Sequence, residues 1–190
     1  MTDEVLPTDN LQPPDDAEMV TTVERELPTV ASVRAVVEAY PLATFSTHRY
    51  ASSEVVYHVI SVPVGDWVSI VTTAFECGFD TFVDLAAVDH FSEAPRFEVS
   101  VNLLSMTDVE RLIILTRVPY DDPTVPTLTD VFVGANFFER EAFDLVGVSF
   151  SGHPDLTRIL MPDDWEGHPL RKDYDIGAVP VEFKAGSADL

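Results

Sequence analysis

The chain has 190 residues, 46% of them hydrophobic, and carries 33 acidic against 11 basic side chains, a formal net charge of −22. This length and hydrophobic content favour a folded domain and argue against disorder of the whole chain, and the charge disfavours nucleic acid and anionic lipid as partners. No apolar run approaches the roughly 20 residues that cross a bilayer, and the single cysteine, Cys77, excludes an internal disulfide or a cysteine-cluster metal site.

Residues 1–26 predict a flexible acidic tail, because they hold eight acids and three prolines and show little apolar periodicity. They also lack the basic start and apolar stretch of a secretory signal. The chain-wide excess of acids fits either a solvated surface suited to a crowded cytoplasm or an acidic face that meets basic partner subunits. Composition leaves both interpretations open.

Apolar periodicity after this tail predicts eight elements. Their order is helix, strand, strand, helix, strand, strand, strand, helix, at residues 29–40, 43–49, 55–62, 63–76, 79–89, 97–105, 111–118 and 136–146. Between the last strand and the last helix, residues 119–126 are crowded with proline and aspartate, which predicts a loop.

Local signals mark several of the predicted helix ends. Thr29 is a candidate cap for the first helix and Pro41 ends it. Gly78 stands where a glycine terminates the second helix. Asn136 followed by Glu139 three residues later resembles a capping box at the start of the third.

This order predicts a two-layer α+β domain over residues 27–165, with a mixed β-sheet and helices on one face. No glycine-rich turn follows a strand, so a dinucleotide or phosphate site of the usual kind is not predicted. Residues 166–190 are interrupted by glycine and proline, which predicts an extended C-terminal tail that becomes ordered on a partner.

Histidines and carboxylates are concentrated in residues 136–175, which raises the question of a metal site. His153 with Asp155, and His168 with Asp173, are ligand types that zinc or iron accepts. Each histidine precedes a proline, and no two ligands have the spacing of one helix turn. A metal-dependent hydrolase using His153, Asp155 and His168 is therefore a distant alternative, and we predict no metal site.

Three carboxylates on the last helix, Glu139, Glu141 and Asp144, are candidates for acid–base catalysis if burial raises a pKa. Arginines stand nearby in the sequence, at 140, 158 and 171, and would keep these acids ionised in salt bridges. We therefore favour an ion-pair network that fixes the helix against a loop, and we predict no catalytic residue.

Four runs in this region carry a family resemblance: EREAFD at 139–144, GVSF at 147–150, GHPDLTRILMP at 152–162 and DWEGHPLRKDY at 164–174. They resemble the signature of the 30-kilodalton subunit of proton-pumping NADH:quinone oxidoreductase (respiratory complex I). The sequence departs from that pattern at Phe137, at or beside which the family usually has tryptophan, and at Val146, where a bulkier aromatic residue is usual.

The resemblance implies a cofactor-free structural subunit of the peripheral arm, inactive in isolation. Such a subunit supports electron transfer from NADH, through FMN and iron–sulfur clusters in other subunits, to quinone, coupled to proton translocation. The implied partners are other complex I subunits, especially the one that forms the quinone site and neighbouring iron–sulfur subunits, on the cytoplasmic side of the cell membrane. An equivalent subunit of an F420H2- or ferredoxin-linked quinone reductase, or of a membrane-bound hydrogenase, remains an alternative.

On this interpretation the charged groups of the signature are docking residues, with no residue that binds a cofactor. The predicted subunit-interface residues are Glu139, Glu141, Asp144, His153, Arg158, His168, Arg171, Lys172 and Asp173. Of these, Arg158, Arg171, Lys172 and Asp173 are the candidates for inter-subunit ion pairs, because such pairs fix docking register more than they add affinity.

Overall fold

The computed structural model describes residues 30–49 and 56–175. The helices are α1 (Ala31–Ala39), α2 (Trp67–Glu76, preceded by a 3₁₀ turn at Val64–Asp66) and α3 (Ala135–Val146). The strands are β1 (Thr44–Arg49), β2 (Val56–Ser61), β3 (Thr81–Asp89), β4 (Phe97–Ser105), β5 (Glu110–Val118), β6 (Thr124–Pro126) and β7 (Ser149–Ser151).

Five strands form one mixed sheet in the order β1-β2-β5-β4-β3. The β2–β5 pair is parallel, and the β1–β2, β3–β4 and β4–β5 pairs are antiparallel. The strands β6 and β7 form a separate parallel pair. This arrangement leaves β1 and β3 as the two edges of the main sheet.

The alternation of β4 decides where the core lies. Phe97, Val99, Val101 and Leu103 point to one face and are fully buried, whereas the residues between them are half-buried. That face belongs to one core cluster with the apolar sides of α1, α2 and α3. The α+β class with a mixed sheet is therefore confirmed.

Of the predicted helix ends, one is confirmed, one is wrong and one lies outside the described residues. The C-terminal role of Gly78 is confirmed, because its φ is +99° and its N–H donates to the carbonyl of Phe75. The capping box is wrong: α3 begins at Ala135, the Asn136 N–H donates to the carbonyl of Val133, and Glu139 turns into the core. The proposed cap Thr29 lies outside the described residues.

Two short strands were not predicted. The loop assigned to residues 119–126 contains β6, and β7 follows α3 directly. Each has three residues, too few for a period-two pattern to stand out. They lie before and after α3 in the chain and pair with each other.

The predicted tails are only partly within the described residues. Residues 1–26 and 176–190 lie outside them, so the acidic tail and most of the C-terminal tail stay predictions. Residues 166–175 contact the domain through several hydrogen bonds set out below. No helix in the described ranges has the length and apolarity to span a membrane.

Candidate functional site

The C-terminal end of α3 organises the signature segment, which we define as residues 137–174. Gly147 follows the helix with a φ of +82°, and its N–H donates to the carbonyls of Ala142 and Phe143 at 3.1 and 3.0 Å. This left-handed ending is the usual role of glycine at a helix C-terminus. It turns the chain into β7 and exposes the last helical carbonyls to other donors.

Asp144, one turn before that end, is the hub of the loop that follows β7. Its side chain is fully buried, and its Oδ1 accepts a 2.6 Å hydrogen bond from the Arg158 guanidinium. Its Oδ2 accepts hydrogen bonds from three consecutive backbone N–H groups, those of Ile159, Leu160 and Met161, at 3.0, 2.7 and 2.8 Å. One carboxylate thus fixes the path of four residues.

These donors decide the ionisation of Asp144. Burial alone would raise its pKa, but the Met161 N–H, the Arg158 guanidinium and the Leu160 and Ile159 N–H groups outweigh burial and lower the pKa of Asp144 to about 2. The group is therefore a permanent anion at neutral pH. It is poorly suited to proton transfer and well suited to structure.

Two arginines bind main-chain carbonyls around this hub. Arg140 donates to the carbonyls of Thr157 and Arg158 at 3.1 and 3.0 Å. Arg158 donates, besides its bond to the Asp144 side chain, to the carbonyls of Asp144 and Gly167 at 3.2 and 3.0 Å. The predicted ion pair is thus present for Asp144, with Arg158 as its partner.

His168 and Arg171 close over the end of α3. The Nδ1–H of His168 donates to the Asp144 carbonyl at 3.0 Å, and burial is the main reason that the pKa of His168 is lowered. Arg171 donates to the carbonyls of Val146 and Gly147 at 2.7 and 3.3 Å. Its guanidinium also lies over the Phe97 ring, 5.1 Å from the centroid. Both side chains donate to carbonyls at the end of α3, where the helix itself supplies no donor.

Their close approach depends on the missing side chain of Gly147, and this gives a testable prediction. A Cβ there would lie 2.5 Å from both Arg171 Nη2 and His168 Cδ2. Together with the left-handed backbone, this should make Gly147→Ala lower the free energy of unfolding by about 2 kcal/mol in urea denaturation.

Gly65→Ala is the matched control, because a Cβ at Gly65 would meet nothing within 4 Å. We expect that change to stay within about 0.5 kcal/mol of the parent. Equal losses from the two substitutions would contradict the role given to Gly147.

A second anchor holds the segment to the end of β3. Asp89 is buried and accepts from the Arg96 Nε and Nη2 at 2.8 Å each, from the Phe91 N–H and from the Lys172 N–H, the last two at 2.8 Å. Arg96 also binds Asp173 at 2.8 Å. The hydrogen bonds from Arg96, above all, place the pKa of Asp89 well below its usual range. We call the cluster of Asp89, Phe91, Arg96, Lys172 and Asp173 the Asp89 clasp.

Glu139 occupies a different, drier site inside the domain. It is fully buried, and its carboxylate accepts 2.6 and 2.5 Å hydrogen bonds from the Leu128 N–H and the Thr127 hydroxyl. No arginine pairs with it among the described residues, contrary to the expected ion-pair network. Burial therefore dominates and raises the pKa of Glu139.

The raised pKa predicts a pH dependence. Between the ordinary pKa of 4.5 and the raised one, the folded chain binds more protons at Glu139 than the unfolded chain does. The stability that this group contributes is therefore present at low pH and lost as pH rises through the folded pKa. Glu139→Gln removes the titration, so the stability of the variant relative to the parent should increase over that range.

Urea denaturation of both proteins from about pH 4 to about pH 8 measures this difference. Glu141→Gln makes the same substitution at an exposed position of the same helix and is the control. If the difference in the free energy of unfolding between the parent and Glu139→Gln does not change with pH, the raised pKa of Glu139 is contradicted.

His153 has both ring nitrogens engaged locally. Its Nε2 contacts the Asn136 carbonyl at 3.2 Å, and its Nδ1 accepts from the Asp155 N–H at 3.0 Å. Among residues 30–49 and 56–175 there is no group of three or more histidine, cysteine and carboxylate side chains placed to hold a metal. The geometry thus gives no support to the hydrolase alternative.

The predicted interface residues divide by their contacts. Glu141 and Lys172 have exposed side chains. The others bond within the chain: Glu139, Asp144, His153, Arg158, His168, Arg171 and Asp173. The structure adds Asp89, Arg96 and Thr127, which no local pattern marked.

Apolar side chains are exposed on the surface that these bonds fix. Leu160 and Leu170 are 61% and 58% exposed, and Ile159 is also exposed. Phe137, on α3, is 61% exposed as well. The signature segment therefore presents several apolar side chains to solvent.

The fold and the sequence are both similar to those of known respiratory proteins. A trypsin-resistant fragment of Nqo5 superposes with a TM-score of 0.58 at 27% identity, covering 66% of this chain and 99% of that one. A chain of the membrane-bound sulfane sulfur reductase, an archaeal respiratory membrane complex, gives 0.66 at 26%, covering 76% and 84%.

A relative from Roseiflexus sp. (strain RS-1), a subunit of NADH-quinone oxidoreductase, is 49% identical over 108 residues, which are 57% of this chain and 62% of the relative. The chain thus spans about three fifths of the length of that curated relative. The model of the family described as respiratory-chain NADH dehydrogenase, 30 Kd subunit, matches residues 60–179. This confirms the resemblance carried by the signature segment, and the chain belongs to that family.

Proposed function

We propose that this chain is a structural, non-catalytic subunit of a proton-translocating NADH:quinone oxidoreductase, and that the signature segment is a docking surface. The observation that carries the proposal is the use of its charged groups. Asp144, Arg158 and Arg171 are engaged in bonds that fix the chain's own loops. Such groups are not free to take part in proton transfer or to bind a cofactor.

What remains available to a partner is a mixed surface. Leu160 and Leu170 supply apolar area, and Glu141 and Lys172 supply exposed charges of both signs. Apolar area buried at an interface gives affinity, and rim charges fix orientation and partner choice. The buried ion pairs beneath this surface keep its shape constant, which lowers the entropic cost of docking.

The finer part of the proposal rests on the family resemblance. The partners are the quinone-site subunit and neighbouring iron–sulfur subunits. FMN and the iron–sulfur clusters belong to partner subunits, and the chain lies on the cytoplasmic side of the cell membrane as a peripheral part of the complex. The chain itself supports electron transfer from NADH to quinone without carrying electrons.

Purification through a tagged copy of the chain tests this function. We expect the flavin, iron–sulfur and quinone-site subunits to co-purify, with NADH:quinone reductase activity in the assembled fraction and none in the isolated chain. Co-purification without such subunits, or turnover by the isolated chain, would overturn the proposal. Stoichiometric zinc or iron in the isolated chain would instead favour the hydrolase.

Lys172→Glu separates docking from folding. The Lys172 side chain is exposed, and only its backbone N–H belongs to the Asp89 clasp. Arg171 is less suitable for charge reversal, because its guanidinium binds the end of α3. We expect Lys172→Glu to weaken co-purification while the urea midpoint of the isolated chain is unchanged.

A second candidate is the equivalent subunit of a related complex with another electron donor. The structural likeness to a chain of the sulfane sulfur reductase complex favours keeping it. The same purification distinguishes the two, because the electron-input subunits differ between such complexes.

A further inference from the structure

The outer edge of β3 borders an open groove. Strand β3 is paired with β4 on one side and stands at the end of the main sheet. Four consecutive residues, Asp84, Leu85, Ala86 and Ala87, line the groove. Because successive side chains in a strand point to opposite faces, a space bordered by four residues in a row is reached by the main chain of the strand as well as by its side chains.

Helix α3 forms the facing wall. Its residues Phe138, Ala142 and Leu145 line the groove, and Leu170 from the signature segment borders it. The cavity has a volume of about 320 Å³. An unpaired strand beside an apolar wall is the arrangement that accepts an extended peptide as an added strand, with main-chain hydrogen bonds on one side and side-chain pockets on the other.

The groove is acidic as well as apolar. Asp84 and Glu141 are its charged lining residues, one from each wall. Neither forms an ion pair with another residue in the described ranges. Two unpaired carboxylates on opposite walls favour a positively charged side chain between them.

We propose that this groove receives an extended segment of a partner protein, which adds to β3 as a strand, fills the groove with apolar side chains and places a lysine or arginine between Asp84 and Glu141. The proposal rests on the function proposed above, since it requires that the chain assemble with other proteins. The groove shares Glu141 and Leu170 with the docking surface of the signature segment and extends that surface to the edge of β3.

Charge decides against occupants from this chain itself. A second copy would bring another formal charge of −22 to an acidic groove. The first 26 residues hold eight acids and a single base, Arg25. Residues 176–190 hold two acids and one base. A basic segment of another protein is the occupant that the charges favour.

Charge reversal within the assembled complex tests the groove. The double variant Asp84→Lys, Glu141→Lys should reduce the yield of co-purifying subunits on the order of tenfold. The control Glu38→Lys, Glu76→Lys makes the same change in net charge at exposed positions on α1 and α2, and should leave the yield unchanged. Thermal unfolding followed by circular dichroism checks that both variants fold.

Photo-crosslinking gives an independent readout that does not depend on the lysine variants. A benzoyl-phenylalanine at the exposed position 86 should crosslink to a partner peptide that contains lysine or arginine, whereas one at position 42, before the opposite edge strand, should not. A crosslink from position 86 to a second copy, to this chain's own tails, or to nothing would overturn the proposal. Equal yields from the two double variants would also overturn it.

The experiments distinguish failure of the proposed function from failure of the proposed groove. If the parent chain brings down no oxidoreductase subunits, the proposed function fails. If the parent brings them down and the groove variant does so equally well, the function stands and the groove has no role in assembly.

Discussion

Replacing Asp144 with alanine is expected to lower the free energy of unfolding of the purified chain by about 4 kcal/mol, because it leaves Arg158 and three backbone N–H groups without their acceptor. Alanine has the higher helix propensity, which offsets about 0.5 kcal/mol of that loss. Urea denaturation measures the difference. Trypsin cleavage after Arg158, which the fixed loop should resist in the parent, gives a local readout.

Glu141→Ala is the matched control, on the same helix three positions earlier. Glu141 is exposed, whereas Asp144 is fully buried. Replacing the Glu141 carboxylate with alanine should therefore lower the free energy of unfolding by less than about 0.5 kcal/mol. Asp144→Asn keeps the volume and one acceptor, and should fall between the two. Similar losses for Asp144→Ala and Glu141→Ala would show that Asp144 is not the hub of the loop.

The pH dependence of the same variant tests the electrostatic part of the argument. A pKa of about 2 in the folded chain, against an ordinary 3.8, means that the folded state binds fewer protons than the unfolded state between those values. The corresponding stability, about 2 kcal/mol, is present above about pH 4 and lost as pH falls through about 2. The difference in the free energy of unfolding between the parent and Asp144→Asn should become smaller as pH falls through that range.

The contrast between Glu141 and Asp144 also shows what could be predicted from the sequence. The two acids lie on one predicted helix, and their spacing says only that they share a face. Asp144 is the buried one because Arg158 and the backbone of residues 159–161 pack against it. The chain reaches that position only after the left-handed turn at Gly147. Sequence signals of this kind reach a few residues, whereas the contacts of Asp144 lie 14 to 17 residues away.

Regular elements were predictable for the opposite reason. Strand β4 alternates apolar and polar residues from Phe97 to Leu103, and a glycine with positive φ follows the end of α2, so each element carries its own local signal. Strands β6 and β7 carry none, because a three-residue strand forms only through its partner. The side chain of Glu139 was misassigned to a cap, since a capping box and a buried carboxylate have the same sequence pattern.

The Asp89 clasp was beyond sequence reasoning altogether. Asp89 and Lys172 are 83 residues apart, and Arg96 and Asp173 are 77 apart. Nothing local to either pair indicates a contact. Yet these bonds hold the signature segment to the end of β3, beside the groove at the sheet edge. The clasp therefore holds the docking surface of the signature segment beside the groove.

Asp89→Ala should accordingly cost about 3 kcal/mol of unfolding free energy, because it leaves the guanidinium of Arg96 and the N–H groups of Phe91 and Lys172 without their buried acceptor. Faster hydrogen exchange at the Lys172 amide would report release of the segment directly. Assembly with partner subunits should weaken in parallel, because the signature segment would no longer be held at the sheet edge.

Asp173→Ala is the control that makes this prediction specific. It removes the other carboxylate from the same guanidinium, but the side chain of Asp173 is 38% exposed, whereas that of Asp89 is 0% exposed. A solvent-screened ion pair contributes less than about 1 kcal/mol, so Asp173→Ala should lower the free energy of unfolding by less than that amount. In Asp89→Ala, Arg96→Met, the second substitution removes the unpaired charge, so the double variant should lose less stability than the two single changes added together. Strict additivity would mean that Asp89 and Arg96 act independently, and that the clasp is not a unit.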